Sequence, residues 1–233
     1  MITIDVIGSS SKGNAYLINE GERSLLLEAG MNLKGIDLST TDGCLITHEH
    51  GDHSKYAMDI IKKTGMDIYL SMGTQEALQL PKHRIKMVQA FKEFKVGSWL
   101  VLPFPTEHDV NEPLGFFIQS KEGECILFAT DTFYIRYTFP GVTHMLIECN
   151  YALDILNENV HSGRIGNYLK KRILTSHFEL NNVKNFLLSN DLSHLKEVWL
   201  LHLSNNNADE GRFKKEIQEI TGIPVYIASE RKE

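Results

Sequence analysis

Seven consecutive residues, Thr47-His48-Glu49-His50-Gly51-Asp52-His53, constrain this chain more than any other stretch. His48, His50, Asp52 and His53 crowd three imidazoles and a carboxylate directly after the apolar run Cys44-Leu45-Ile46. Imidazole nitrogen and carboxylate oxygen together suit a borderline cation such as zinc, with manganese or iron as weaker candidates. On a helix, His48 and Asp52 would share a face while His50 pointed away. A strand running into a tight loop at Gly51 is the better geometry. It lets His48 and His50 reach one metal, and Asp52 and His53 a second beside it. The plain alternative is a solvated loop rich in histidine.

Three later stretches offer further donors after strand-like runs: His108 in Pro105-Thr106-Glu107-His108-Asp109, Asp131 in Phe128-Ala129-Thr130-Asp131-Thr132, and His202 in Leu200-Leu201-His202-Leu203-Ser204. Alone, His108 and His202 would be ordinary core or surface histidines. With the first motif they complete a set. His48-x-His50-x-Asp52-His53 followed by a His, an Asp and a final His resembles the signature of the metallo-β-lactamase superfamily, in its two-metal hydrolase branch. The resemblance covers nearly the whole chain. It implies an α/β fold, a four-layer αββα sandwich built as a single domain over residues 1–233. It also implies two divalent metals, zinc or alternatively manganese. His48, His50 and His108 would hold the first; Asp52, His53 and His202 the second; Asp131 would bridge.

Composition narrows the class. A chain of 233 residues with 42% hydrophobic content can bury a sizeable core. A formal charge of −6 argues against a general nucleic-acid-coating surface. Cys44, Cys125 and Cys149 show no C-x-x-C pairing and read as small core residues in a reducing compartment. No basic leader and no apolar run of transmembrane length is present, so a cytoplasmic protein is expected.

Along the chain, strands are expected at residues 2–7, 14–18, 24–27, 67–70, 99–104, 116–119, 125–129, 145–150, 197–203 and 224–227, with helices at 55–63, 74–80, 166–173, 181–188 and 209–220. The Gly8-Ser9-Ser10-Ser11-Lys12-Gly13-Asn14 loop lacks a phosphate-cradle spacing and reads as a turn; the superfamily resemblance sets it near the metals. Glu28 stands where many members of the superfamily carry Asp, which weakens the expectation of support from that position. Lys82-His83-Arg84-x-Lys86 is either a solvated loop or a phosphate contact, and His83 lies outside every ligand motif.

Two metals sharing a water supply hydroxide near neutral pH and bind the oxygens of the attacked centre, which suits phosphodiester, thioester or amide hydrolysis. His50 and the absence of room for a flavin domain set the flavodiiron branch aside. His53 and Asp131 set the true zinc β-lactamases aside. Thioesterases of the glyoxalase type share all seven ligands. Leu174-Thr175-Ser176-His177-Phe178-Glu179 resembles the nuclease and phosphodiesterase branch, in which an extra histidine protonates the leaving oxygen or steadies the phosphate. His177, Asp52 and Glu148 are therefore the candidate catalytic residues. Glu148 and Asn150 either orient His177 or a ligand, or simply bond strand ends.

Gly8 to Asn14, Glu112-Pro113-Leu114-Gly115-Phe116 and Glu148-Cys149-Asn150-Tyr151 resemble two compact groups: WalJ-type double-stranded DNA exonucleases and anti-Pycsar enzymes that open cyclic mononucleotides. The segment around His177 is longer than the form expected of the exonucleases, which favours hydrolysis of a 3′,5′-cyclic mononucleotide. The DNA exonuclease is the alternative, and a non-catalytic metal-binding protein a second. The same resemblance implies a homodimer.

Overall fold

Alternation at the start of the chain produces β1 (Ile2–Ser10), which turns at Ser11-Lys12 into the antiparallel β2 (Gly13–Glu20). This computed structural model describes residues 1–229; the last four residues of the expected 1–233 domain lie outside the described residues. Within those, the chain divides into two compact units. The first takes in Met1–Pro105 and Val110–Glu124 with Ser229, and the second Thr106–Asp109 with Cys125–Ala228.

In the first unit, β3 (Arg23–Leu27) pairs antiparallel with β2. Then β4 (Thr41–Leu45), β5 (Ile68–Leu70) and β6 (Ile85–Met87) continue the sheet in parallel, in the order β1 to β6. Parallel neighbours need helical crossovers, and α1 (Gly51–Ser54) with α2 (Ala57–Thr64) supplies the one between β4 and β5. Ala57, Ile60 and Ile61 fall at helical spacing and pack with Leu26, Cys44, Ile46 and Ile68 in one apolar cluster. Gly65, at φ 66°, takes the left-handed position that ends α2. α3 (Met72–Leu78) is capped by Ser71, whose hydroxyl accepts from Thr74 N at 3.1 Å. A single 3-10 turn at Lys82–Arg84 leads to β6. The unit also holds an antiparallel meander of β7 (Phe94–Val96), β8 (Trp99–Pro105) and β9 (Leu114–Gln119).

The second unit is built on parallel strands β10 (Cys125–Ala129), β11 (His144–Glu148), β12 (Glu197–Leu201) and β13 (Val225–Ile227). Every residue of β11 is buried, as a strand covered on both faces requires. The connections carry α4 (Leu153–His161), α5 (Asn167–Ser176), α6 (Leu180–Ser189) and α7 (Glu210–Thr221).

Three features depart from the expectations. Gly51 opens a helical turn rather than a tight loop, and the two three-residue strands β6 and β7 were not anticipated. α4 was missed altogether. It has no side-chain N-cap and buries only Leu156 and Asn159, so its apolar signal is thin. Cys44 and Cys149 are buried, Cys125 is half-buried, and all three are free thiols. No described helix is long and apolar enough to cross a membrane.

Candidate metal centre

Parallel strands deliver their functional residues at carboxyl ends, and both units follow this rule. In the first, Glu28 directly follows β3, and His48 lies just beyond β4. In the second, Asp131 follows β10, Glu148 ends β11, and His202 follows β12. Five described non-glycine residues have positive φ: Glu28 at 66°, Gln79 at 51°, Phe91 at 63°, Asp131 at 45° and His202 at 51°. Two of the five, Asp131 and His202, carry donors of these clusters, and Glu28 stands directly behind the first. Each such backbone costs about 1–3 kcal/mol and persists only where its surroundings hold it.

The first-unit cluster is His48, His50, Asp52 and His53. His48 Nε2 lies 3.1 Å from His50 Nδ1, and His53 Nε2 lies 3.4 Å from Asp52 Oδ2. The His48 and His53 rings are 4.2 Å apart between centroids. Ligand atoms of a tetrahedral zinc bonded at 2.0–2.2 Å lie roughly 3.3 Å from one another. These separations fit that edge.

Behind them stands Glu28, fully buried. Thr47 donates its hydroxyl to Glu28 Oε1 at 2.6 Å and its backbone N–H to Oε2 at 3.3 Å. A hydroxyl has one proton to give. Thr47 Oγ1, 2.9 Å from His48 Nδ1, therefore accepts from that nitrogen. The bond fixes the tautomer and leaves the His48 Nε2 lone pair for a cation. Glu28 Oε1 also lies 3.4 Å from His53 Nδ1. Burial raises the Glu28 pKa, against the opposing pull of His53 and Thr47. The Glu in place of Asp thus reaches both Thr47 and His53, so the sequence-based doubt about this position does not hold. Asn14 closes the other side, with Nδ2 3.1 Å from His53 Nε2 and 3.3 Å from the Asp52 carbonyl. That brings the Gly8–Asn14 loop against two of the donors.

Replacing Thr47 with valine removes the hydroxyl at nearly constant volume. Apparent metal affinity is expected to fall about 10- to 100-fold, read by titrating metal out with a chelator; an unchanged affinity would count against the Glu28–Thr47–His48 chain.

The second-unit cluster is His108, Asp131, Glu148, His177 and His202. Ligating atoms of Asp131, Glu148, His177 and His202 all lie within 4.8 Å of one another. His202 Nδ1 is 3.2 Å from both Asp131 Oδ1 and Glu148 Oε1, and His108 Nε2 is 3.9 Å from Asp131 Oδ2. His108 Nδ1 donates to the Ser176 carbonyl at 3.2 Å, which leaves Nε2 as its ligating atom. Ser176 Oγ in turn donates to Asp109 Oδ1 at 3.0 Å.

Glu148 is the hub. His177 Nδ1 donates to its Oε1 at 2.6 Å, while Thr132 N and Phe178 N donate to Oε2 at 3.0 and 3.1 Å. Burial alone would raise its pKa, but His177 and the hydrogen bonds from His177 and His202 outweigh it, and the carboxyl sits below its ordinary value. His177 moves the other way. Burial lowers it, yet the Glu148 and Asp131 charges raise it overall. Asn150 Nδ2 donates to the His202 carbonyl at 2.7 Å and steadies that left-handed residue.

His83 sits in the exposed 3-10 turn, away from both clusters in sequence and outside their contacts. Arg84 and Lys86 each lie 3.5 Å from Asp67. The roles of Thr47, Asn14, Asp109, Ser176 and Thr132 were missed from sequence. Thr47, Asp109 and Ser176 adjoin motif histidines, the one signal that could have exposed them.

The donor chemistry and spacing in both clusters fit divalent cations, and known proteins agree. A family model described as a beta-lactamase superfamily domain matches residues 23–157, over half of the chain. Exodeoxyribonuclease WalJ of Streptococcus pneumoniae is 28% identical over 224 residues, covering 87% of this chain and 81% of that protein. Exodeoxyribonuclease YycJ of Bacillus anthracis is 26% identical over 228 residues, covering 87% and 82%. Among solved structures, the metallo-beta-lactamase fold protein YhfI from Bacillus subtilis superposes with a TM-score of 0.74 at 18% identity, covering 99% of this chain and 98% of that one. The chain therefore belongs to the β-lactamase superfamily, has the metallo-β-lactamase α/β fold and is a metal-dependent hydrolase.

Proposed function

We propose that this hydrolase is a two-metal phosphodiesterase acting on a nucleic-acid end, with DNA the substrate class supported by the names of both curated relatives. Its ligands are His48, His50, Asp52, His53, His108, Asp131 and His202, the set implied by the order of motifs. Two divalent cations held there, zinc or alternatively manganese, would lower the pKa of a water and polarise the phosphoryl oxygens. Asp52, its side chain 22% exposed, orients the attacking water.

The observation that carries the reading is the 2.6 Å bond from His177 Nδ1 to Glu148. With Nδ1–H committed, Nε2–H of the imidazolium is the proton available to a departing sugar oxygen. Glu148 raises the pKa of that imidazolium and so keeps the acid loaded. A sugar alkoxide is a poor leaving group, so a positioned acid matters more here than in thioester hydrolysis.

A 3′,5′-cyclic mononucleotide, favoured by the length of the His177 segment, is the second reading. The net charge of −6 and the sharing of Asp67 by Arg84 and Lys86 support a small substrate over a long phosphate track. Under either reading the protein is a cytoplasmic homodimer, which light scattering would weigh at about twice 26.5 kDa.

A competition assay separates the substrates. Purified without chelator, the protein should contain about two metal ions per chain and shorten linear DNA while cyclic CMP, UMP, AMP and GMP persist. Cyclic nucleotides consumed beside intact DNA would establish the second reading. An active protein free of metal would remove both.

A further inference from the structure

We infer that α5 is a ridge that binds single-stranded DNA, with Tyr168 stacking on a base and Lys171 and Arg172 holding phosphates of a strand that leads to His177. This rests on the nucleic-acid reading above and names the form of substrate that the second unit grips.

α5 is unusual in what it leaves outside. Of its ten residues only Ile173 and Ser176 are buried. Ile173 anchors it in a small apolar cluster with Tyr151, Leu156 and Ile165. Tyr168 is 87% exposed and Leu169 45%, a costly display for residues that could have been polar. The helix carries Lys170, Lys171 and Arg172 and no acidic residue. In a chain of net charge −6, such a run has a reason to persist.

Spacing organises these groups. Tyr168, Arg172 and Ser176 follow one another at i, i+4 and i+8, one stripe along the helix. Lys171 flanks Tyr168 at i+3. The stripe ends at the site, because Ser176 accepts from His108 through its carbonyl and donates to Asp109 through its hydroxyl. Arg172 Nε lies 4.0 Å from Asp109 Oδ2 with both side chains about half exposed, so its remaining guanidinium donors are open to a phosphate. The next residue is His177, the proposed acid.

Distance selects the ligand. Nine residues of rise separate Tyr168 from His177, about 13 Å. A stacked strand advances about 3.4 Å per nucleotide, so a base on Tyr168 belongs to a nucleotide several positions from the phosphate at His177. A lone cyclic mononucleotide does not span that length. An aromatic platform beside a run of cations is the arrangement that binds single strands without reading sequence.

The test uses the full-length, metal-loaded protein and fluorescence anisotropy with labelled single-stranded oligonucleotides of increasing length, their linkages phosphorothioate so that binding is read without turnover. Wild-type affinity should rise over the first several nucleotides. Y168A should weaken binding of the longer strands about tenfold and flatten that rise. K171A should reduce the slope of log affinity against log salt by about 0.7. Both substitutions lie on an exposed face, and thermal melting should confirm that the variants fold as wild type. Y168A and K171A that match wild type at every length, in a protein that does degrade DNA, would overturn the ridge alone. A wild type that binds no strand of any length would overturn the ridge and the nucleic-acid reading together.

Discussion

His177→Ala is expected to slow cleavage of a nucleotide phosphodiester by about two to four orders of magnitude, the usual worth of a positioned general acid. The same change should slow bis(p-nitrophenyl) phosphate far less, within about tenfold, because nitrophenolate departs without a proton and needs no acid. The contrast between leaving groups is what identifies the role. A histidine that merely filled space, or that held a cation, would depress both substrates alike. The geometry behind the expectation is local to the second unit. His177 leaves α5 in extended backbone, at φ −133° and ψ 154°, and Phe178 N is tied to the same carboxylate that holds the ring. Ring and backbone are therefore fixed by one group, Glu148. Metal content of the variant should stay at the wild-type level. Equal loss on both substrates would assign His177 to metal binding or packing instead.

Legibility in the sequence followed the strength of the local signal. The His48–His53 motif could be read outright, because no ordinary structural demand puts three imidazoles and a carboxylate in so short a span. His108, Asp131 and His202 are single polar residues after apolar runs, and only their order behind the first motif made them readable. β11 and β12 were visible as apolar runs: β11 is buried throughout, as a strand covered on both faces must be, and β12 leaves only Glu197 and Trp199 half-buried. Short elements were not visible. β6 and β7 are three residues each, too few for a period to register, and α4 carries two asparagines and no cap. The partners behind the donors stayed hidden for a different reason. Thr47, Ser176 and Thr132 act through hydrogen bonds to Glu28, Asp109 and Glu148, whose proximity only the tertiary fold creates. The leaning towards a cyclic mononucleotide came from the length of the segment around His177. The helix bearing Tyr168 and three cations was expected at 166–173; what one sequence does not reveal is that α5 buries only Ile173 and Ser176 and leaves that face outside.

Glu148→Gln changes one atom and is expected to disturb stability, metal binding and catalysis together. The carboxylate accepts on both oxygens: from His177 and His202 on Oε1, and from Thr132 N and Phe178 N on Oε2. An amide has one acceptor oxygen, so its NH2 must face two donors. Turned towards the backbone, it strands two buried N–H groups, each costing about 1–3 kcal/mol. Turned towards the imidazoles, it forces both Nδ1 atoms to accept. The protons then move to Nε2, which discharges the acid on His177 and blocks the lone pair that His202 would offer a cation. The second arrangement costs less, because imidazoles can change tautomer and backbone amides cannot. Metal affinity should accordingly drop about 10- to 100-fold, with a catalytic loss on sugar leaving groups comparable to that of His177→Ala. The lost ion pair should lower stability by a few kcal/mol, a melting point roughly 5–15 °C below wild type for a chain of this size. Glu158→Gln, on the exposed side of α4, supplies the comparison and should stay within about 0.5 kcal/mol of wild type. Calorimetry with and without added metal separates the two contributions, since the tautomer effect disappears in the chelated protein and the stranded-donor effect does not. A Glu148→Gln protein that melts and binds metal as wild type would show that the four hydrogen bonds do not converge on a charged carboxylate.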